Sequence, residues 1–291
     1  MARRPVIIGI GEVLWDMLPA GRQLGGAPAN FAYHARALGA DAYVVSRVGY
    51  DEPGHEILRR LDALGLNRQF VSVDGDHPTG RVDVLLDEQG VPSYVIHEDV
   101  AWDWITPTAG LLDLARRADA VCYGTLAQRT AGNAWAIGEF LSATREQCSR
   151  VFDVNFRQHY YDRETVRESL GGAGVVKLNE DEVPVLTGLL PRPIAPRDFP
   201  RVFGQVAVAV TRGPHGSAIY TKDGVYEHPG VRTKVADTVG AGDAFTAALV
   251  MGLLEGHAPD RINSFANRLA AYVCSRPGAT PPIPADLLAS R

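Results

Sequence analysis

Seven residues, Asp237-Thr238-Val239-Gly240-Ala241-Gly242-Asp243, stand immediately before an apolar stretch with helical spacing. Glycines just ahead of a helix let the backbone approach a ligand closely. The N–H groups of the first turn have no partner inside the helix, and the helix dipole lies behind them. Gly240, Ala241 and Gly242 therefore form an anion site suited to a phosphate or to a phosphoryl group in transfer. Asp243 falls at the same helix start, where the dipole and nearby N–H donors are expected to hold its carboxylate ionised. A carboxylate so placed can accept the proton of a hydroxyl that attacks phosphorus in line. The spacing fits equally well a glycine turn in which Asp243 caps the helix. No Gly-Lys-Ser/Thr follows, so this is not a Walker A loop, and a lone Gly-x-Gly this late in the chain is not a dinucleotide fingerprint.

A second group is Leu24-Gly25-Gly26-Ala27-Pro28-Ala29-Asn30. Gly25 and Gly26 allow a ligand close to the backbone, and Asn30 offers both donor and acceptor groups. Asp16, a lone carboxylate after Val13-Leu14-Trp15, is suited to accept hydrogen bonds from polyol hydroxyls. Taken singly, these residues read more simply as a plain loop and a polar first-turn residue.

The elements that must position these groups are legible in outline. The chain has 291 residues, enough for one large α/β domain or one domain with a small appendage. Short apolar runs at 6–10, 42–48, 120–123, 151–154, 175–178 and 206–210 predict strands. Stretches at 29–38, 54–64, 134–147, 165–170 and 181–186 predict helices between them. Such alternation argues for a parallel sheet covered by helices on both faces. Two period-2 runs, 80–86 and 92–97, flank Asp87-Glu88-Gln89-Gly90 and predict a hairpin. This hairpin belongs either to the edge of the main sheet or to a small sheet of its own with 13–18 and the segment near Leu24. Runs at 217–221 and 224–228 predict a meander, helices follow at 241–254 and 259–275, and the Pro-rich tail after Arg276 predicts an extended surface segment.

Composition excludes several classes. A net charge of −5 argues against a nucleic-acid partner, and Arg59-Arg60 and Arg116-Arg117 read as solvated helix faces. Cys122, Cys148 and Cys274 are far apart and odd in number, as expected of reduced, mostly buried thiols in a cytoplasmic protein. No Cys or His pair has metal-ligand spacing, and His55 and His77 are scattered like the other histidines. The run 6–10 is too short for a signal peptide and Glu12 follows at once. No segment approaches the roughly 20 apolar residues of a membrane-spanning helix.

Together the two motifs resemble the ribokinase-like (PfkB) family of carbohydrate kinases. The N-terminal signature is similar to residues 25–30 with Leu38-Gly39 and the stretch Arg47-Val48-Gly49-Tyr50-Asp51-Glu52-Pro53-Gly54 after it. The C-terminal signature is similar to 237–243, in the order the family requires. Gly11-Glu12-Val13-Leu14-Trp15-Asp16-Met17-Leu18-Pro19, Phe31-Ala32-Tyr33-His34-Ala35, Ala101-Trp102-Asp103 and Gly124-Thr125-Leu126-Ala127-Gln128-Arg129 are similar to bacterial fructokinases in particular.

The resemblance implies an α/β fold: three α/β/α layers with a mostly parallel central sheet, plus a small β-sheet lid. It implies one kinase domain over 1–291, with lid segments at about 13–25 and 80–100. It makes Asp243 the catalytic base and the backbone of Gly240, Ala241 and Gly242 the anion hole. Asp16, Gly25, Gly26 and Asn30 would hold sugar hydroxyls, and Arg157 in Asp153-Val154-Asn155-Phe156-Arg157 would reach substrate or phosphates, the alternative being a salt bridge at a strand end. Asn179 and Glu182 match an Asn-x-x-Glu motif whose Glu places Mg²⁺ through water. Thr211, Gly213 and Gly216 match a loop beside the nucleotide phosphates. Asn267 corresponds to a residue lining the adenine pocket, and Lys177 is expected near the nucleotide.

ATP and Mg²⁺ are the implied cofactors. A monovalent cation such as K⁺ is a further expectation, held by carbonyls near Asp237 and Ala279. The implied partners are a small sugar substrate and a second copy of the chain through the lid, with no nucleic acid or membrane. Fructose is the first substrate expected. The alternatives are 2-keto-3-deoxygluconate, whose carboxylate calls for an arginine, and, less well supported, a nucleoside. A non-catalytic sugar sensor and a dinucleotide-dependent oxidoreductase are readings from other classes.

Overall fold

A computed structural model describes residues 3–18, 21–86 and 92–291. The strands in chain order are β1 (Val6–Ile10), β2 (Leu14–Leu18), β3 (Gly21–Gly25), β4 (Asp41–Gly49), β5 (Asn67–Asp74), β6 (Arg81–Leu86), β7 (Pro92–Ile96), β8 (Ala120–Tyr123), β9 (Ser149–Asp153), β10 (Val175–Asn179), β11 (Ala207–Thr211), β12 (Ser217–Tyr220) and β13 (Val225–His228). The main sheet has the order β13-β12-β11-β10-β9-β8-β1-β4-β5. Every pairing from β11 to β5 is parallel, and only the pairings of β12 with β11 and β13 are antiparallel.

Both faces of this sheet are buried, and alternate residues serve opposite layers. Ile7 and Val44 join Phe31, Ala35, Phe245 and Leu269 on one face. Ile8, Ile10 and Val45 join Leu114, Phe140, Phe152 and Phe199 on the other. The first face carries helices α1 (Ala27–Ala37) and α2 (Glu52–Ala63). The second carries α3 (Ala109–Arg117), α4 (Ala131–Ser142), α5 (Arg163–Gly172), α6 (Glu182–Leu189) and the short α7 (Phe199–Val202). Helices α8 (Ala241–Leu254) and α9 (Pro259–Cys274) return to the first face, before a last turn α10 (Ala285–Ala289). Helix α8 is buried on nearly every side, as its almost unbroken apolar sequence requires.

A separate four-stranded sheet has the order β3-β2-β6-β7. The predicted hairpin therefore belongs to a small sheet and not to the main sheet's edge. The turn 87–90 and Pro19 lie outside the described residues.

Several boundaries differ for identifiable reasons. Helix α1 starts two residues early because Pro28 is accepted in its first turn. Helix α2 starts at Glu52 because Asp51 caps it, accepting from the Gly54 amide. Thr130 caps α4 in the same way, three residues ahead of its expected start. Strand β5 was not expected: it is an edge strand with most side chains exposed or half-buried, so it lacks an apolar run. The three cysteines are unpaired, with Cys122 and Cys148 buried. No helix among the described residues is long and apolar enough to cross a membrane.

Candidate active site

Parallel strands share one direction, so the residues that end them gather along one edge of the sheet. Glu12 follows β1, Asp153 ends β9, Asn179 ends β10 and Thr211 ends β11. Asn179 and Thr211 are direct neighbours in register. The start of α8 enters the same edge.

Gly240 adopts φ 78°, the left-handed region that favours glycine. A Cβ there would lie 2.5 Å from the Ala279 carbonyl oxygen, so the tail packs directly behind the turn. Gly240, and not Asp243, occupies the N-cap, and no side chain caps this helix. Asp243 is the third helical residue, which removes the capping alternative. The Ala241 amide reaches Thr238 O only at 3.4 Å. A Cβ on Gly242 would stand 3.0 Å from Lys177 Nζ, so the lysine lies against the expected anion hole. Lys177 is buried and pairs with Asp153 at 3.1 Å. Asp153 also accepts the Thr246 hydroxyl at 2.9 Å, which ties β9 and β10 to α8.

Helix α1 brings the second motif to the same place. Asn30 Nδ2 donates to Asp243 Oδ2 across 2.9 Å. One turn later His34 is fully buried, and its Nε2 donates to Ala279 O at 2.9 Å. Burial lowers the His34 pKa to about 4, so the ring is neutral and this nitrogen carries the proton. Residues i and i+4 on one helix face thus hold both sides of the α8 start. Asp16, on β2, lies directly over Gly25: a Cβ at Gly25 would be 2.3 Å from Asp16 Oδ2. Gly26 has φ 114° and packs against the Glu12 carbonyl.

The carboxylates are poised near neutrality. Burial raises Asp243 to about 6, assisted by Asp153 and opposed by Asn30, Lys177 and Arg157. Dehydration thus outweighs the groups that favour the carboxylate, yet at about 6 Asp243 is still mostly ionised at neutral pH. Burial likewise raises Asp16 to about 6, opposed by Arg157. Glu12, 5% exposed, is raised to about 7 by burial, against the Ala27 amide and Arg157. Arg157 makes no ion pair within salt-bridge distance, so the strand-end salt bridge does not form among the described residues. Its guanidinium instead acts at longer range on Glu12, Asp16 and Asp243 together.

Glu12 and His34 were not picked out as site residues. A lone carboxylate directly after a five-residue apolar strand is the one sequence signal that points to Glu12.

On the other side of Asp243, Glu182 is buried and not a solvated helix carboxylate. Its Oε1 accepts the Phe156 amide at 3.0 Å and its Oε2 the Asn179 amide at 2.7 Å, while Asn179 Oδ1 accepts the Glu182 amide at 2.9 Å. Gly213 and Gly216 both adopt positive φ, and a Cβ on Gly216 would clash with the β13 backbone. Asn267 stands apart: its amide nitrogen donates to Ser217 Oγ at 2.7 Å and to Asn263, inside α9 and β12.

Among the described residues no group of three or more His, Cys, Asp or Glu side chains could cage a metal ion. Both Glu182 oxygens already accept backbone N–H groups. Mg²⁺ keeps much of its water shell, so this donor set fits a hydrated ion that meets Glu182 through water.

The chain belongs to the pfkB family of carbohydrate kinases, whose model matches residues 20–286. It is 29% identical to the fructokinase of Escherichia coli, over 94% of this chain and 95% of that protein. A sugar kinase of Pyrococcus horikoshii, solved in complex with ATP, matches at 27% identity with a TM-score of 0.81, covering 94% of each chain. The fructokinase of Xylella fastidiosa with bound ATP shares the ribokinase-like fold at a TM-score of 0.83 and 24% identity, over 98% of this chain and 97% of that one.

Proposed function

We propose that this sugar kinase transfers the γ-phosphoryl group of ATP to the primary hydroxyl of fructose, giving fructose 6-phosphate. The carrying observation is the Asn30–Asp243 hydrogen bond, which joins the sugar-holding motif to the base at the phosphate-facing helix start. The sugar lies between Asp16 and Asn30, under the small sheet acting as a lid over one kinase domain. Asp243 accepts the hydroxyl proton as oxygen attacks phosphorus. The Gly240–Gly242 backbone and Lys177 stabilise charge on the transferring group, and closure of the lid excludes water that would hydrolyse ATP. Asn179, Thr211, Gly213 and Gly216 flank the nucleotide phosphates, and Asn267 lines the adenine pocket. Glu182 would hold Mg²⁺ through water, and the ion would neutralise phosphate charge.

Arg157 favours a neutral sugar over 2-keto-3-deoxygluconate, because Glu12, Asp16 and Asp243 already balance its charge. The recurrence of fructokinases among the relatives supports the same choice. A substrate panel of fructose, ribose and 2-keto-3-deoxygluconate with coupled ADP detection, run with and without K⁺, tests this. Preference for the keto acid would overturn the assignment to fructose, and no sugar-dependent ADP release would overturn the kinase mechanism.

A further inference from the structure

The charge of Arg157 acts on Glu12, Asp16 and Asp243, yet Arg157 sits on neither a strand nor a helix. Its loop follows β9, and Asn155 and Gln158 on either side of Phe156-Arg157 both have positive φ, 41° and 48°. Non-glycine residues hold that conformation only where surrounding contacts impose it. The contacts come from two directions. Before Arg157, the Phe156 amide donates to Glu182 Oε1. After it, Gln158 Nε2 donates to Tyr94 O on β7 at 2.6 Å. The Tyr160 hydroxyl lies 3.1 Å from Ile96 O on the same strand and 2.9 Å from Glu98 Oε1. The Tyr160 ring in turn lies under the Arg129 guanidinium, which stacks on Trp102 at 4.0 Å from the ring centroid and donates to His97 O, just past β7, at 2.7 Å.

We infer that Gln158 and Tyr160 are positioning residues that fasten the Arg157 loop to strand β7, so that the small sheet and Arg157 move as one unit relative to the main sheet. This rests on the sugar-kinase reading and deepens it. The bonds to β7 hold one end of the Arg157 loop under the small sheet, while the Phe156–Glu182 bond keeps the other end on the phosphate side. Sugar binding under β7 and the charge next to Asp243 are thereby linked through three consecutive residues.

The test uses Tyr160→Phe, which keeps the ring beneath Arg129, and Gln158→Asn, which tolerates positive φ but is too short to reach Tyr94. Each loses about one hydrogen bond, so KM for the sugar should rise about fivefold with KM for ATP unchanged. In an Arg157→Ala background the same changes should add nothing, because the residue they position is gone. Full additivity with Arg157→Ala, or an equal rise in both KM values, would overturn the inference. If the wild-type protein phosphorylates no sugar, the kinase reading fails and hydrogen exchange decides the tether. In the doubly substituted protein, amides of 93–97 and 155–161 should gain exchange together. Faster exchange in one segment alone overturns it.

Discussion

Asn30 on α1 and Asp243 on α8, 213 residues apart in sequence, share a hydrogen bond of 2.9 Å. It lowers the Asp243 pKa against the burial that raises it to about 6. A carboxylate with that pKa is mostly ionised at neutral pH and still strong enough to take a proton. Activity should therefore rise with pH through about 6 and level off above it. Asn30→Ala removes a group that favours the ionised form, so the rise should move to higher pH. An unchanged pH profile of kcat would show that Asn30 does not tune the base.

Asp243→Asn keeps the shape of the side chain and removes its basicity. Turnover should fall about 10²–10⁴-fold while ATP affinity stays the same, measured by steady-state kinetics and by nucleotide titration. Turnover near the wild-type value would reject Asp243 as the base.

Two glycine substitutions should behave differently. At Gly25, an added Cβ meets the far end of the Asp16 side chain, which can swing away. Gly25→Ala should cost little stability but raise the sugar KM by about tenfold or more, as hydrogen bonds to a displaced carboxylate are lost. At Gly240, the Cβ meets the Ala279 backbone and φ is 78°, so Gly240→Ala should lose stability and turnover together. Thermal melts alongside kinetics separate the two, and equal destabilisation would contradict the geometry.

Opposite pH effects on stability are expected from Glu12 and His34. Burial raises Glu12 from its ordinary 4.5 to about 7 in the folded protein, so its burial costs stability as pH rises from 4.5 through 7. Glu12→Gln should stabilise the protein above pH 7, by on the order of 1–3 kcal/mol, and leave it unchanged below pH 4.5. His34 titrates at about 4 when folded against 6.5, so stability is lost as pH falls from 6.5 towards 4. His34→Gln should flatten that loss. Urea unfolding across this range would show both signs.

Much of the main sheet was legible because its strands are buried on both faces and read as unbroken apolar runs. Helix α8 was readable to the residue, since Gly240 opens it and the apolar stretch ends at Leu254. Strand β5 was not legible, because an edge strand such as Asn67-Arg68-Gln69-Phe70 carries no such run. Within the site, glycines and carboxylates beside helix starts carried the signal. Glu12 and His34 were missed because their importance lies in burial and in distant contacts, and neither is a local property of the chain. The Arg157 loop was seen as a motif, but its attachment to β7 depends on Gln158 and Tyr160 meeting backbone carbonyls 64 residues away in sequence.

Breaking the Lys177–Asp153 pair should cost about 3–5 kcal/mol, because it leaves a buried carboxylate unpaired. Lys177→Met should also shift the pH rise of kcat upward, since Lys177 lowers the Asp243 pKa. A stable Lys177→Met protein with an unmoved profile would contradict both expectations.

The packing of Ala279 behind Gly240 bears on how the enzyme matures during synthesis. A nascent chain that has already exposed Asn30 and Asp243 still lacks the carbonyl that His34 holds against the turn. The Gly240–Gly242 turn should therefore lack that support until residue 279 has left the ribosome. A fully supported α8 start is expected only after the tail has been made.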